Sequence, residues 1–390
     1  MKVRGINPYN ALIWFLLFYM TSNMTTSLLP QEFSMNRVVG VGIVTIAFYI
    51  LIKNINKIVF SLLIVCTIIC LNSIVASTNI SLNIEHVVYF LTTSSLFCLL
   101  ISDRTMEKLL QALKRNISIV KKALYFNLFL ITVGFVLPQC YSYGYVGFAQ
   151  GAHQFLSCLM FVYVLTVYVL KDTPLGIKDV LMILPILIAV SMGAARTYLI
   201  PTLIISLMYY KLKLKTLKVK YFIILLIAVF GVLYLPNSFI IQRFSMATSQ
   251  GLYSGQSAAT AMSSGRFEIW AIDLNAFMEG NIWTQLFGKG FDYLYKYNEI
   301  NYGASIWAHN DFIHILVSGG ILGLLYYIYL LKMIITRPAK KNTIKKIWLS
   351  AFVIPVAIFN GMYTYQQYVF SIIFFVLLIV ETENIGIEVL

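Results

Sequence analysis

The sequence has little charge. Asp, Glu, Lys and Arg make up only 11% of its 390 residues, whereas a soluble domain carries about a quarter. Too few charged side chains exist to cover a water-facing surface, and an ordinary soluble domain is excluded. Acid is the scarcer sign, with 15 Asp and Glu against 29 Lys and Arg. Cysteine and histidine are also sparse. Cys66, Cys70, Cys98, Cys140 and Cys158 are odd in number and lie in or beside apolar runs, where thiols pack as small apolar groups. The four histidines stand apart, and no His/Cys/Asp cluster has metal-ligand spacing. A phosphate-binding loop and a nucleophile elbow are missing. Glu381–Thr382–Glu383 has Asp-x-Asp-like spacing, but it belongs to the C-terminal tail. Chemistry on the far side of a membrane would then run without nucleotide, metal or cofactor. No clear small-x-small cleavage site follows Ala11–Met20, so the first apolar segment is expected to be retained. No internal repeat is evident, which weighs against transporters built from two related halves.

What is abundant is apolar length. Hydrophobic residues reach 59%, mean hydropathy is +0.81, and the apolar runs are roughly 15–22 residues long, enough to cross a hydrocarbon core about 30 Å thick. The expected fold is an all-α polytopic membrane protein with about twelve transmembrane helices and one large extracytoplasmic loop between helices 9 and 10. The expected spans are Asn10–Leu29, Val38–Ile52, Ile58–Val75, His86–Ile101, Ala123–Pro138, His153–Leu170, Val180–Gly193, Arg196–Tyr210, Tyr221–Pro236, His309–Leu331, Ile347–Gly361 and Tyr365–Val380. This divides the chain into helices 1–9 (1–236), the extracytoplasmic loop (237–307), and helices 10–12 with a tail (308–390).

Charge placement orients these spans. With the N-terminus in the cytoplasm, all but six of the Lys and Arg residues fall in cytoplasmic segments, as the positive-inside rule requires. The six are Arg37, Arg196, Arg243, Arg266, Lys289 and Lys296. The net charge of +14 is thereby explained as topology, and nucleic acid is not expected as a partner. Both termini are expected in the cytoplasm.

The long loop holds a polar Ser245–Gly265 stretch, a helix-like Arg266–Met278 segment and an aromatic, Gly-rich Phe287–Trp307 part. Arg196 stands near the same face in Ser191–Met192–Gly193–Ala194–Ala195–Arg196–Thr197. An arginine at membrane depth faces a cavity or partner, or snorkels to the interface as an anchor. Arg266 heads the helix-like segment, with Ser263 or Ser264 as candidate cap and Glu268 or Asp273 as surface partner. His309 opens the tenth span, where an imidazole exchanges protons near neutral pH. Asn310 and Asp311 beside it suit a helix cap, and His314 is expected to be buried and hydrogen-bonded. Gly319, Gly320 and Gly323 suit close helix packing better than a phosphate loop.

Three pieces, Ala195–Arg196–Thr197, Ser264–Gly265–Arg266 to Trp270, and Ala308–His309–Asn310–Asp311–Phe312 with Gly320–Ile321–Leu322–Gly323, together with the topology, resemble the O-antigen ligase/polymerase superfamily of bacterial glycan assembly. The resemblance implies a bacterial cytoplasmic-membrane glycosyltransferase that takes glycan from undecaprenyl-diphosphate-linked oligosaccharide on the outer face. It puts Arg196 and Arg266 at the diphosphate and His309 at the acceptor hydroxyl, with Arg243, Asn310, Asp311, His153 and Trp270 as further substrate contacts. It also implies the lipid bilayer, a chain-length regulator and a flippase as partners. Relatives often carry an arginine in the loop corresponding to Gln139–Ala152. This chain has Tyr141, Tyr143, Tyr145, Phe148 and Gln150 there, groups that suit sugar faces. The compact His309–Asn310–Asp311 motif and the Ile/Lys/Asn-rich character favour an O-antigen or capsular polysaccharide polymerase. A ligase that delivers glycan to lipid A–core is the alternative, and a transporter of lipid-linked oligosaccharide the second. Alkaline phosphatase fused after Asn301 is expected to be active, and fused after Arg115 inactive; the opposite pattern overturns the orientation.

Overall fold

The computed structural model describes residues 7–28, 35–141, 144–193, 195–213, 265–339 and 342–384. Among them regular structure is helical, with no strand. The first part runs through α1 (Pro8–Asn23), α2 (Met35–Lys53), α3 (Lys57–Ala76), α4 (Ile80–Leu99), α5 (Asp103–Arg115), α6 (Ile117–Gly134), α7 (Ala152–Leu170), α8 (Ile177–Met192) and α9 (Leu199–Lys213). Three short helices follow, α10 (Arg266–Met278), α11 (Ile282–Phe287) and α12 (Tyr293–Asn301), and then α13 (Asp311–Ala339), α14 (Thr343–Phe359) and α15 (Gln366–Asn384). Each expected span overlaps a helix except Tyr221–Pro236, which lies outside the described residues together with 245–264 of the polar stretch. Among the described residues five helices, α3, α4, α6, α7 and α13, are long and apolar enough to cross a membrane. The chain is a helical, multi-pass membrane protein.

Helices that are apolar all round belong in a protein interior or in lipid, and this bundle uses both. α7 is buried along nearly its whole length and packs against α15, where the Ser371 hydroxyl donates to the Ser157 carbonyl at 3.1 Å and Phe161 meets Phe374 edge-on at 4.9 Å. α3 instead leaves Ile64, Ile68, Leu71 and Val75 exposed, as a lipid-facing helix should. All five cysteines are free and buried, so packing is their role.

One end of the bundle carries basic clusters. There the basic stretch left between the fourth and fifth expected spans contains the amphipathic helix α5. Ser102 caps its N-terminus, and Met106, Leu109, Leu110 and Leu113 are buried. Lys114 pairs with Glu381 at 3.0 Å, and Lys171 approaches the same carboxylate at 3.6 Å. Lys213 is buried and paired with Asp179 at 3.4 Å, closing α9 onto α8.

The other end, the loop face, carries α10–α12. One carboxylate makes several of the ties between these short helices and the bundle. Asp292 accepts hydrogen bonds from the Thr78 amide at 2.8 Å, the Thr78 hydroxyl at 2.9 Å, the Ser77 hydroxyl at 3.3 Å and the Asn79 amide. The α3–α4 turn thus has its free amides satisfied by a residue more than two hundred positions away. Next to it the Phe291 amide donates to Ser73 at 3.0 Å and to Asn83 at 3.2 Å. Removing the acceptor would strand several donors, at roughly 1–3 kcal/mol for each buried group left unpaired. Asp292→Ala is therefore expected to lower the thermal midpoint in detergent by several degrees, while Lys296→Ala, at an exposed position of α12, leaves it unchanged. Equal midpoints for the two variants would show that Asp292 does not hold the loop.

Candidate functional site

On the loop face the three residues singled out from sequence come together from three separate stretches. Arg196 opens a single 3-10 turn, Arg196–Tyr198, between α8 and α9. Arg266 is the first residue of α10, behind Gly265, whose φ of 77° makes the sharp entry turn. His309 lies in the link into α13. Arg266 is half-buried, and its guanidinium is felt electrostatically by Arg196 on one side and His309 on the other. Burial, with Arg196 beside it, holds the Arg266 pKa below its usual value, while the Tyr365 and Tyr198 hydroxyls work in the opposite direction.

His309 is held in an uncommon state. Its backbone is left-handed, at φ 50°, a conformation that costs an ordinary side chain about 1–3 kcal/mol unless its surroundings impose it. The imposing contacts are visible. The Trp270 indole Nε1 donates to the Ala308 carbonyl at 2.7 Å, the Trp307 ring lies 4.7 Å from the imidazole, and Asn310 starts α13 by accepting from the Phe312 amide at 2.9 Å and the Ile313 amide at 3.2 Å. Burial, and then the Arg266 cation, push the His309 pKa down to about 4. The imidazole is neutral at pH 7, and its Nδ1 is buried with no hydrogen-bond partner among the described residues.

Aromatic residues close the rest of the site. The His153 ring lies 5.6 Å from Tyr365 and 6.3 Å from Tyr198, and Trp307 lies 6.0 Å from Tyr365. The Tyr198 hydroxyl accepts from Asn360 at 2.9 Å, lies 2.6 Å from the Ser157 hydroxyl and donates to the His153 carbonyl at 3.2 Å. This places the Arg196 turn, α7 and the α14–α15 link in fixed register. Gly361 is required there: with φ 71°, a β-carbon on it would come within 2.3 Å of the Trp307 ring.

Several expectations need correction. Asn310 and Asp311 are buried beneath His309 and do not line the open site. Asn310 is the cap; Asp311, the expected co-cap, accepts instead from the Tyr327 hydroxyl and, at 2.9 Å, from the Met362 amide, which ties α13 to the α14–α15 link. α10 is capped by Gly265 without a side-chain bond, and Ser263, Ser264 and Arg243 lie outside the described residues. Glu268 is exposed, and Asp273 is buried in α10; burial raises its pKa to about 7. Among the aromatics of 139–152, Tyr143 lies outside the described residues and the others turn inward. Tyr145 is fully buried with its hydroxyl on the Ile131 carbonyl at 2.6 Å, Tyr141 donates to the Phe135 carbonyl at 3.0 Å, and Phe148 is buried. His314 is buried as expected, but its ring nitrogens have no hydrogen-bond partner among the described residues; the ring stacks on Phe291 at 6.3 Å and lies 6.1 Å from His86. Trp307, Tyr198 and Tyr365 were not singled out from sequence. Among 26 tyrosines nothing local marks the two that face the arginines.

Among the described residues no group of three or more His, Cys, Asp or Glu could hold a metal ion. What the arrangement offers is two adjacent cations, a neutral half-buried imidazole and aromatic walls. Such a set suits an anion with a sugar attached: guanidinium forks bind phosphate oxygens, and aromatic faces pack on sugar rings.

No curated protein matches the chain. A family model whose description is O-Antigen ligase matches residues 179–328, a stretch that contains Arg196, Arg266 and His309. That match bears out the likeness carried by the motifs: over residues 179–328 the chain is similar to the O-antigen ligase family.

Proposed function

We propose that the protein is a polysaccharide polymerase that joins oligosaccharide repeat units carried on undecaprenyl diphosphate, at the outer face of the bacterial cytoplasmic membrane. The observation that carries this reading is the convergence of Arg196, Arg266 and neutral His309 at one place on the loop face. In the reaction the acceptor hydroxyl oxygen attacks the anomeric carbon of the donor sugar, and the bond from that carbon to the diphosphate oxygen breaks. The electron pair leaves with the diphosphate, whose growing charge Arg196 and Arg266 stabilise. The hydroxyl proton passes to His309. One displacement of this kind inverts the anomeric configuration.

The two arginines answer a specific difficulty. Bringing like charges together in a partly dry site is unfavourable, and an anionic diphosphate relieves it on binding. The same event raises the basicity of His309, because the Arg266 charge that depresses its pKa is then neutralised. The base is thus strengthened when donor is present. A ligase uses the same donor chemistry with a lipid A–core acceptor, and the family match accommodates both. Nothing in the fold or the match favours a transporter.

Complementation of the deletion strain tests the reading, with all variants checked for equal membrane levels. Wild type is expected to restore a glycan ladder. Arg266→Ala and His309→Ala are expected to leave single repeat units, with turnover down about 100-fold or more, the usual cost of removing a general base or a charge-stabilising donor. Loss of all attached glycan with long carrier-linked chains accumulating would make the protein a ligase. His309→Gly separates fold from chemistry, since glycine is at ease at φ 50°: turnover should vanish while thermal stability holds or rises. Wild-type turnover in Arg266→Ala and His309→Ala would refute the assignment.

The pH profile is a separate test. A depressed pKa keeps His309 in its base form on descending through pH 6.5, so kcat/KM should stay level there and fall only nearer pH 4. Arg266→Gln removes the second cause of the depression and should move the acid limb upward, though not fully to 6.5, because burial remains the larger cause. An acid limb at 6.5 in wild type would show that the His309 pKa is not depressed in the working enzyme, and the same limb in His309→Gly that another group titrates.

A further inference from the structure

α11 and the turn after it are oddly built for a loop in water. From Asn281 to Gly288 there is no charged residue, and three of the four exposed side chains are apolar: Ile282 is 78% and Trp283 61% exposed, with Leu286 also exposed, beside the capping Asn281. An uncovered apolar cluster of this kind marks a contact with something apolar. The cluster adjoins two lipid-facing helices: the Phe287 carbonyl meets Asn72 of α3, next to exposed Leu71 and Val75, and the Leu286 backbone lies against Gly320 of α13, next to exposed Ile321.

The backbone shows how deep this segment lies. The Phe287 carbonyl accepts from the Asn72 side chain at 2.7 Å. Asn72 is four residues before the end of α3 at Ala76, which is about 6 Å along the helix axis. The Lys289 amide donates to the Val317 carbonyl at 2.9 Å and the Gly290 amide to the Ser318 carbonyl at 3.1 Å, both well inside α13. α13 is broken beside these carbonyls at Gly320, where φ is 67°, and a break of this kind leaves carbonyls without helical donors. Close approach is enforced by two glycines: a β-carbon on Gly288 would come within 2.0 Å of the Ser318 carbonyl, and one on Gly320 within 2.4 Å of the Leu286 backbone. Asn281 caps α11 through the Thr284 amide at 2.9 Å. Protein groups therefore take up the polar backbone of the turn. Irregular backbone at membrane depth needs that, because hydrocarbon offers no hydrogen bonds. The first charge after α11, Lys289, reaches back to the Ala276 carbonyl at 2.6 Å, away from the exposed apolar side chains.

We propose that residues 281–291 form a re-entrant, lipid-contacting segment, with Ile282, Trp283 and Leu286 set among the lipid chains of the leaflet on the loop face. The segment expected from sequence as a wholly extracytoplasmic loop then dips into the membrane at this point. The occupant of its apolar face is the bilayer itself, as the continuity with α3 and α13 and the lack of charge require. Trp283 has the indole character favoured at the membrane interface. The inference does not depend on the catalytic reading.

The test places one cysteine at a time in the full-length protein, which is labelled with bimane in nanodiscs of phosphatidylethanolamine and phosphatidylglycerol. The native thiols are buried, so unsubstituted protein is the labelling control. Bimane at Ile282→Cys and at Trp283→Cys is expected to be quenched several-fold more by lipid carrying a nitroxide at chain carbon 5 than bimane at Lys296→Cys or Glu299→Cys, both exposed on α12. Aqueous iodide should show the reverse order. Using two neighbouring positions guards against one substitution disturbing the fold, since Trp283 also packs on Phe287 at 4.3 Å. Iodide quenching at 282 and 283 equal to that at 296 and 299 would place the segment in water and overturn the proposal.

Discussion

A backbone amide or carbonyl buried away from water has only protein to bond with, and the loop face of this molecule is organised around that constraint. The α3–α4 turn and the segment between α11 and α12 each leave main-chain donors that helices cannot satisfy. They satisfy one another instead, through Asp292 on Thr78 and Asn79, Asn83 and Ser73 on Phe291, and Asn72 on Phe287. The short helices of the loop are for this reason built into the bundle. α10 then carries Arg266 from a fixed base, and Trp270 on its next turn holds the strained link at Ala308 and His309.

The electrostatics of the site follow from a shortage. Acids are few in the chain, and Arg266 feels Arg196, the Tyr365 and Tyr198 hydroxyls and the neutral His309 imidazole. That is an unfavourable ground state, and it is directional, because it is relieved by an anion and not by a neutral sugar. Burial does the remaining work. It keeps His309 unprotonated at neutral pH, and it does so with the bulk of Trp307 and the walls of the site, without an orienting carboxylate on Nδ1.

Much of the architecture was legible because it is local. Runs of apolar residues between basic breaks mark helices whatever their neighbours are, so the described helices overlap the expected spans, and Arg266–Met278 is a helix over those same bounds. The failures are also physical. α5 was hidden because a charged amphipathic helix and a charged loop have similar composition. Asn310 and Asp311 lie next to a reactive histidine in sequence, yet the helix start turns them beneath it, where one caps and the other binds Tyr327 and Met362. Tyr141 and Tyr145 suit sugars by type, but their hydroxyls found backbone carbonyls of α6 and the turn after it.

The sequence by itself determined that this chain lives in a membrane, which stretches are helical, and that Arg196, Arg266 and His309 are unusual for where they stand. These follow from composition and period, which act over a few residues at a time. Only the tertiary structure decided that the three meet, that Tyr365, Tyr198 and Trp307 wall the place where they meet, and that the loop carrying Arg266 packs into the bundle beside α3 and α13. Those facts depend on contacts between residues far apart in the chain, such as Asn360 with Tyr198 and Asp292 with Thr78. No local pattern encodes them, because each is selected by which polar groups remain unsatisfied once the helices have packed.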